Sequence, residues 1–454
     1  MKTKMIVKLL MLFLSLLMLF SYQILAISPE AIETDALLMW ETLEEVHPNL
    51  YHSTPKDTAE AFFEETMIQV YSQEEYTFLE AYKIMSSLAA IFQDGHTGIF
   101  FPYEEWNEYL STGGKVFPLE VRLVGEKLLM EGPFARSNTL AEKELISING
   151  IPVEAIITRI LSSVSYESRA FGTHILNRNF RHYLWALFGM EGPFTITYSS
   201  TGEEETLTLP GVRGDELPER EGRNPFNLEY LTSNSALLII DSVPGEMNQA
   251  YFEFLEESFR EIKEKEIEYL LIDMQNNGGG STHQFNEIYH YISDTPYRSF
   301  SRIDVRYSKP YVDDNFSWQG QIYYRIRNLL RGDDIVTVEP ELQSPPENAL
   351  RFSDQVYLLV GPGTFSAAAD FAALCQDFEA ATIVGQETGG LPTSYGDSYH
   401  FTLPNTGLRG RSSFKFFVRP SGEVTNRGVI PDWEMEIDQD YQNLLEKIQG
   451  DAVI

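Results

Sequence analysis

In the second half of the chain, short apolar runs are followed again and again by helical patterns, and this alternation limits the fold more than any other feature. "SALLIIDSV" precedes "QAYFEFLEESFREIKEK", and "EYLLIDMQ" leads through "NNGGGST" to "HQFNEIYHYI". "QVYLLVG" leads to "SAAADFAALCQDF" and then to "ATIVGQE". Apolar strands followed by helices predict an α/β core with a largely parallel sheet covered on both faces, over residues 228–437. Ligands of such sheets sit in loops past the strand C-termini. "NNGGGST" and "GPGTFS" are both such loops, so they are expected to face one crevice.

The first half reads differently, and 454 residues are too many for one ordinary domain. A basic start, the apolar run Leu9–Phe20 and small Ala26 make residues 1–26 a secretory signal peptide. The apolar run is short for a spanning helix, which needs about 20 residues. Membrane contact is therefore expected only through an uncleaved signal, and the localisation is secreted or extracytoplasmic. Helical spacing in "ALLMWETLEEV", "TAEAFFEETMIQVY" and "FLEAYKIMSSLAAIF" predicts an N-terminal helical module over 27–112. Residues 113–211 carry strand patterns around a helical insert, "GTHILNRNFRHYLWALFG", with a turn at Asn149-Gly150. Polar residues 212–227 read as a linker, and 438–454 as a helical tail.

Composition removes several classes of function. The formal net charge of −33 repels nucleic acid and anionic lipid, so neither is an expected partner. The single cysteine, Cys375, lies in an apolar helical stretch, reads as a buried small hydrophobe and rules out an internal disulfide framework. The histidines are His47, His52, His96, His174, His182, His283, His290 and His400, and none has zinc-like spacing. No metal or cofactor is expected.

The candidate chemistry centres on Ser366, at the seam between an apolar strand and a helix. A serine there is either an N-cap or a nucleophile at the positive end of the helix. Ala367, Ala368 and Ala369 are small enough to let a substrate approach the backbone. Three consecutive glycines in "NNGGGS" imply unusual backbone angles or a close backbone approach. Beside Ser366, that loop would complete an oxyanion hole, with Gly279 and Ala367 as backbone N–H donors. His96, in the Gly-bounded turn "QDGHTG", is the histidine best able to project into a cleft. No G-x-S-x-G elbow surrounds any serine, which argues against the α/β-hydrolase arrangement.

Taken together, "LLIDMQNNGGGS", "VYLLVGPGTFSAAADF", "TIVGQETGG" and "NRGVIPDWE" resemble, in order and spacing, the S41 peptidases. That family includes the tail-specific (C-terminal processing) peptidases and the tricorn core. "HPNLYH" and "QDGHTG" look like the helical start of secreted members, and "ELISINGIPVEAI" is similar to a PDZ-type module. The resemblance implies a serine peptidase acting on protein or peptide substrates, with a PDZ-like β-rich domain before the core. Leu391 stands where processing peptidases carry the lysine of a Ser–Lys dyad. The resemblance therefore implies the tricorn-type solution, with His96 as general base for Ser366. Thr425 stands where the tricorn pattern has an acid, Gly95 where it has a serine, and Gln275 replaces an arginine usual in the glycine segment. The group orienting His96 is left open among Asp397, Glu387 and Asp94, in that order. The alternatives to a peptidase are a catalytically silent binding protein on this scaffold and an esterase using the same pair.

Overall fold

A computed structural model describes residues 26–200, 202–217, 225–243, 248–437 and 441–451. The signal segment expected over 1–26 lies outside these residues except for Ala26, as do 218–224 of the expected linker. The N-terminal helices are α1 (Pro29–Val46), α2 (Lys56–Val70), α3 (Phe78–Ala90) and α4 (Tyr103–Ser111), with the two-residue strand β1 (Gly98–Ile99) before α4. Ser28 caps α1 by accepting from the Ala31 N–H, and Thr77 and Glu80 form a capping box on α3. Ile32, Ala36, Met39, Leu43 and Val46 form the fully buried stripe of α1.

The β-rich region holds β2 (Lys115–Val116), β3 (Glu120–Val124), β4 (Lys127–Glu131), α5 (Gly132–Ser137), β5 (Glu144–Ile148) and β6 (Ile151–Pro152). It continues through α6 (Val153–Leu161), α7 (Arg169–Phe188), β7 (Phe194–Ser200), β8 (Glu203–Leu209) and β9 (Val212–Arg213). Its main sheet is antiparallel, in the order β3-β4-β5-β7-β8, with β6 on β5. The turn at Asn149-Gly150 has φ of 50° and 78°, the positive pair that a two-residue hairpin favours. Val212–Arg213, expected within a linker, instead pair with Lys115–Val116. Bundle and β-rich region share one continuous apolar core, so they pack as a single body rather than as separate modules.

The remainder comprises β10 (Phe226–Thr232), β11 (Ser235–Ile240), α8 (Gln249–Glu264), β12 (Tyr269–Asp273), α9 (Thr282–Ile292), β13 (Arg302–Arg306), α10 (Lys309–Asn315) and α11 (Trp318–Arg331). Then follow β14 (Ile335–Val338), β15 (Gln355–Val360), α12 (Ala367–Asp377), β16 (Thr382–Gly385), β17 (Ser394–Thr402), β18 (Arg409–Val418), β19 (Trp433–Glu434) and α13 (Tyr441–Asp451). One sheet runs β10-β11-β12-β15-β16-β19; β10 is antiparallel and the other neighbours are parallel. Alternate strand residues separate its two faces. Leu238, Ile272 and Leu358 meet α8, α9 and α12, while Leu237, Leu271 and Leu359 meet Leu444, Leu445 and Ile448 of α13. The other sheets are antiparallel throughout, so the chain as a whole is mixed rather than dominated by parallel pairing. Ala368 and Ala369 are fully buried, which corrects the expectation that they open the backbone to substrate. Ala368 packs in the apolar layer between α12 and the sheet.

Among the contacts that bind the N-terminal bundle to the carboxy-terminal region, two hold it at separate points. β1 pairs antiparallel with β18, Gly98 opposite Arg411 and Ile99 opposite Gly410, which anchors the loop that follows α3. Asp35 of α1 is fully buried and accepts from the Asn405 N–H, the Asn405 Nδ2 and the Thr406 N–H at the turn between β17 and β18. Removing a buried acceptor leaves its donors unpaired, at about 1–3 kcal/mol. Asp35→Ala is expected to lower unfolding stability by about 2–3 kcal/mol in urea titrations. A loss below about 0.5 kcal/mol would show that the turn does not depend on this clamp.

Candidate active site

Ser366 occupies the N-cap position of α12, but its side chain makes no capping bond. Its backbone sits at φ 52°, ψ −133°, a conformation that costs a non-glycine residue about 1–3 kcal/mol. Strain of this kind persists only where the surroundings hold it. Thr364 Oγ1 accepts from the Gly361 N–H and donates to the Met274 carbonyl, and the Phe365 N–H donates to the Asn277 carbonyl. Fully buried Asn277 donates through Nδ2 to the Ile240 carbonyl. The loops after β11, β12 and β15 are thereby stitched together under Ser366.

The glycines answer to this crowding. Gly279 has φ 101°, and a Cβ there would lie 2.7 Å from the Ser366 Cβ. A Cβ on Gly390 would lie 2.8 Å from the Ser366 nitrogen. The expected role of Gly279 as an oxyanion donor is not met: its N–H donates to Asn277 Oδ1 at 2.8 Å. Ala367 stands in the first turn of α12, where backbone N–H groups have no partner within the helix.

His96 arrives from the loop anchored by β1, and its Nε2 lies 2.9 Å from Ser366 Oγ across 270 positions of sequence. The ring is stacked on Phe365 at 4.8 Å, and Phe365 on Phe171 of α7 at 4.1 Å. A Cβ on Gly95 would lie 2.7 Å from Phe365 Cζ, which gives a steric reason for glycine before the histidine.

None of the three expected acids reaches the imidazole ring. Asp397 pairs with Lys415 at 2.5 Å and is half exposed. Glu387 pairs with Arg427 and accepts from the Gly428 N–H. Asp94 is buried and accepts from His47 Nε2 at 3.0 Å, Thr97 Oγ1 at 2.5 Å, Ser413 Oγ at 2.6 Å and the His96 backbone N–H at 2.9 Å. It holds the loop rather than the ring. Burial acts to raise the Asp94 carboxyl, but the His47 contact, the nearby His96 and the Ser413 hydroxyl outweigh it and keep it well below the usual carboxylate range.

The carboxylate facing the ring is one that sequence reasoning missed. Glu167, in the segment before α7, puts Oε1 3.4 Å from His96 Nδ1. Both atoms are buried, and neither has a hydrogen-bond partner among the described residues. Glu167 Oε2 accepts from the Leu391 N–H at 3.3 Å. Burial raises the Glu167 carboxyl; His96 opposes the rise and Asp94 adds to it. Arg411, which donates to the Gly95 carbonyl at 2.8 Å, supplies nearby positive charge that favours the ionised forms of Asp94 and Glu167. Nothing in the local motif "YESR" marks Glu167, because its approach to His96 depends on how the β-rich region folds against the core.

A cavity of about 740 Å³ opens past the ends of β12, β15 and β16, lined by Gln275, Asn276, Gly361, Gly363, Gln386 and Arg169 among others. The two loops expected to share a crevice do so here. Asp94, His96 and Glu167 have ligand atoms within 4.8 Å of one another, the spacing of a metal site. The Asp94 oxygens, however, are already taken by four donors.

No curated protein sequence matches the chain. Mature CPAF complexed with lactacystin is similar in fold, with 15% identity, a TM-score of 0.63, and coverage of 92% of this chain and 98% of that one. The CPAF s499a mutant gives 14% identity and a TM-score of 0.65, covering 92% and 96%. The photosystem II D1 C-terminal processing protease gives 13% and 0.46, covering 91% and 96%. The family model for peptidase family S41 matches residues 244–435, the span that carries the glycine loop, Ser366 and the later segments. Residues 244–435 of the chain thus carry a region that matches peptidase family S41.

Proposed function

We propose that the chain is a secreted serine endopeptidase of the tail-specific type, with Ser366 as nucleophile and His96 as general base. The observation that carries this reading is the 2.9 Å contact between Ser366 Oγ and His96 Nε2. A hydroxyl becomes an effective nucleophile when a base within about 2.6–3.2 Å can take its proton. Ser366 attacks the peptide carbonyl as His96 Nε2 accepts the hydroxyl proton. The same nitrogen then returns the proton to the leaving amine, and water repeats the cycle on the acyl-enzyme. The Ala367 N–H, at the positive end of α12, supports the developing oxyanion. Since Gly279 turns its N–H toward Asn277, a second donor needs a rotation of the glycine loop on substrate binding.

The β-rich domain acts in this reading as a PDZ-like element that guides the peptide. Strand addition at the free edge of β3 is opposed by α7, whose Asn177 Oδ1 already accepts from the Leu123 N–H. The cavity beyond β12 and β15 adjoins the loops that carry the glycines and Ser366, although Ser366 and His96 themselves do not line it. Secretion follows from the expected signal segment. Among the described residues, no helix is long and apolar enough to cross a membrane.

Ser366→Ala and His96→Ala are each expected to lower peptide hydrolysis by about 10⁴-fold or more while leaving the circular dichroism spectrum unchanged. Full turnover in either variant contradicts the assignment. Because the folded state holds Asp94 below its ordinary range, its stabilising effect is fully present above that range and is lost as pH falls from there through the lower folded-state value. Asp94→Asn is therefore expected to cost about 2–3 kcal/mol at pH 7, a deficit that persists down to about pH 4 and shrinks below it. Urea unfolding at several pH values checks the sign; a deficit that grows on acidification contradicts it.

A further inference from the structure

We propose that Glu167 is the positioning residue that orients the His96 ring, so that hydrolysis depends on how the β-rich domain seats against the core. The inference rests on the peptidase reading above and assigns a residue that the sequence motifs leave open.

Three observations carry it. His96 Nδ1 and Glu167 Oε1 are buried, 3.4 Å apart, and otherwise unpartnered among the described residues. Leaving a buried polar atom unpaired is costly, so two that face each other are expected to close into one bond when the ring becomes charged. The position where the resemblance places an acid holds Thr425, and Asp397, Glu387 and Asp94 are committed elsewhere. Glu167 is also poorly repaid as a structural residue, because its one hydrogen bond, from the Leu391 N–H, is long at 3.3 Å.

The charged and titratable groups around it are His96 and Asp94 from the loop after α3, Arg411 from β18 and Asp370 from α12. In the resting state Glu167 Oε1 faces Nδ1 at 3.4 Å, which favours the tautomer that carries its proton on Nδ1 and leaves Nε2 to take the Ser366 proton. Once that proton has moved, the carboxylate faces an imidazolium and stabilises it without taking a proton itself.

The seat of Glu167 is a short seam between the two regions. Ser168 Oγ donates to the Gly389 carbonyl at 2.8 Å, the Leu391 N–H donates to Glu167, and Phe171 stacks on Phe365. Every one of these contacts joins residues 167–171, around the start of α7, to the loops beside Ser366. Displacement of the β-rich domain would withdraw the carboxylate and leave the Ser366–His96 pair unguided.

The test compares Glu167→Gln, Glu167→Ala and Ser168→Ala with the full-length wild type on a peptide substrate. Glu167→Gln is expected to lower kcat by about 100-fold or more. Its Tm should equal or exceed that of the wild type, since a buried carboxylate with one weak partner is replaced by a neutral isostere. Loss of the negative charge should move the acid limb of the pH–rate profile to lower pH. Formate should restore part of the activity of Glu167→Ala, and Ser168→Ala, which keeps the carboxylate but loosens its seat, should lose about 10-fold. A low-field proton resonance from the His96 Nδ1–H, present in the wild type and absent in Glu167→Gln, reads the contact without turnover.

A Glu167→Gln enzyme that keeps kcat within about twofold with an unmoved acid limb overturns the assignment of Glu167 and leaves the peptidase reading standing. A wild type that does not hydrolyse peptides overturns the reading itself, and the proton resonance then decides the Glu167 contact separately.

Discussion

Everything that could happen at Ser366 depends on a side chain brought from the other end of the molecule. The histidine loop reaches the serine because Gly98 and Ile99 add a two-residue strand to β18, and because Asp94 binds four donors around the backbone of that loop. Two residues of sheet pairing would be marginal alone. The buried Asp94 cluster and the Asp35 clamp fix the same bundle at separate points, so the 2.9 Å contact is set by several weak constraints acting together.

The site is also an electrostatic compromise. Asp94 and Glu167 lie in a buried region with Arg411 as nearby positive charge, and the environment drives their carboxyls in opposite directions. Asp94 is surrounded by donors, which stabilise its charge. Glu167 has one weak donor and an imidazole edge, so burial prevails. Paired acids whose surroundings push them apart commonly divide their work, one holding structure and one answering to chemistry. Backbone strain at Ser366 belongs to the same pattern, since the loops after β11, β12 and β15 hold this serine in a conformation that few residues adopt.

Much of this was readable from residue patterns. The strand–helix alternation gave the order of β11, α8, β12, α9, β15 and α12, and the loops carrying glycines and Ser366 lie where such sheets hold ligands. The turn at Asn149-Gly150 followed from local backbone preference alone. What stayed hidden depended on packing between distant segments. The triple alanine after Ser366 looks like access for substrate, yet all three are buried and Ala367 and Ala368 pack in the apolar layer against the sheet. Gly279 looks like an oxyanion donor, but a side chain two residues earlier captures its N–H. Glu167 carries no local signature at all, and the shared core of bundle and β-rich region could not be deduced from periodicity within either.

The central claim is that the hydroxyl of Ser366 is a nucleophile made reactive by His96. Its most direct measure is covalent modification by a fluorophosphonate, located by peptide mass spectrometry in the wild type and in the chain lacking the imidazole. The account predicts a single adduct on Ser366 whose rate of formation falls by at least about 100-fold without the imidazole. An unlabelled Ser366 in the folded wild type, or labelling at the same rate without His96, would contradict it.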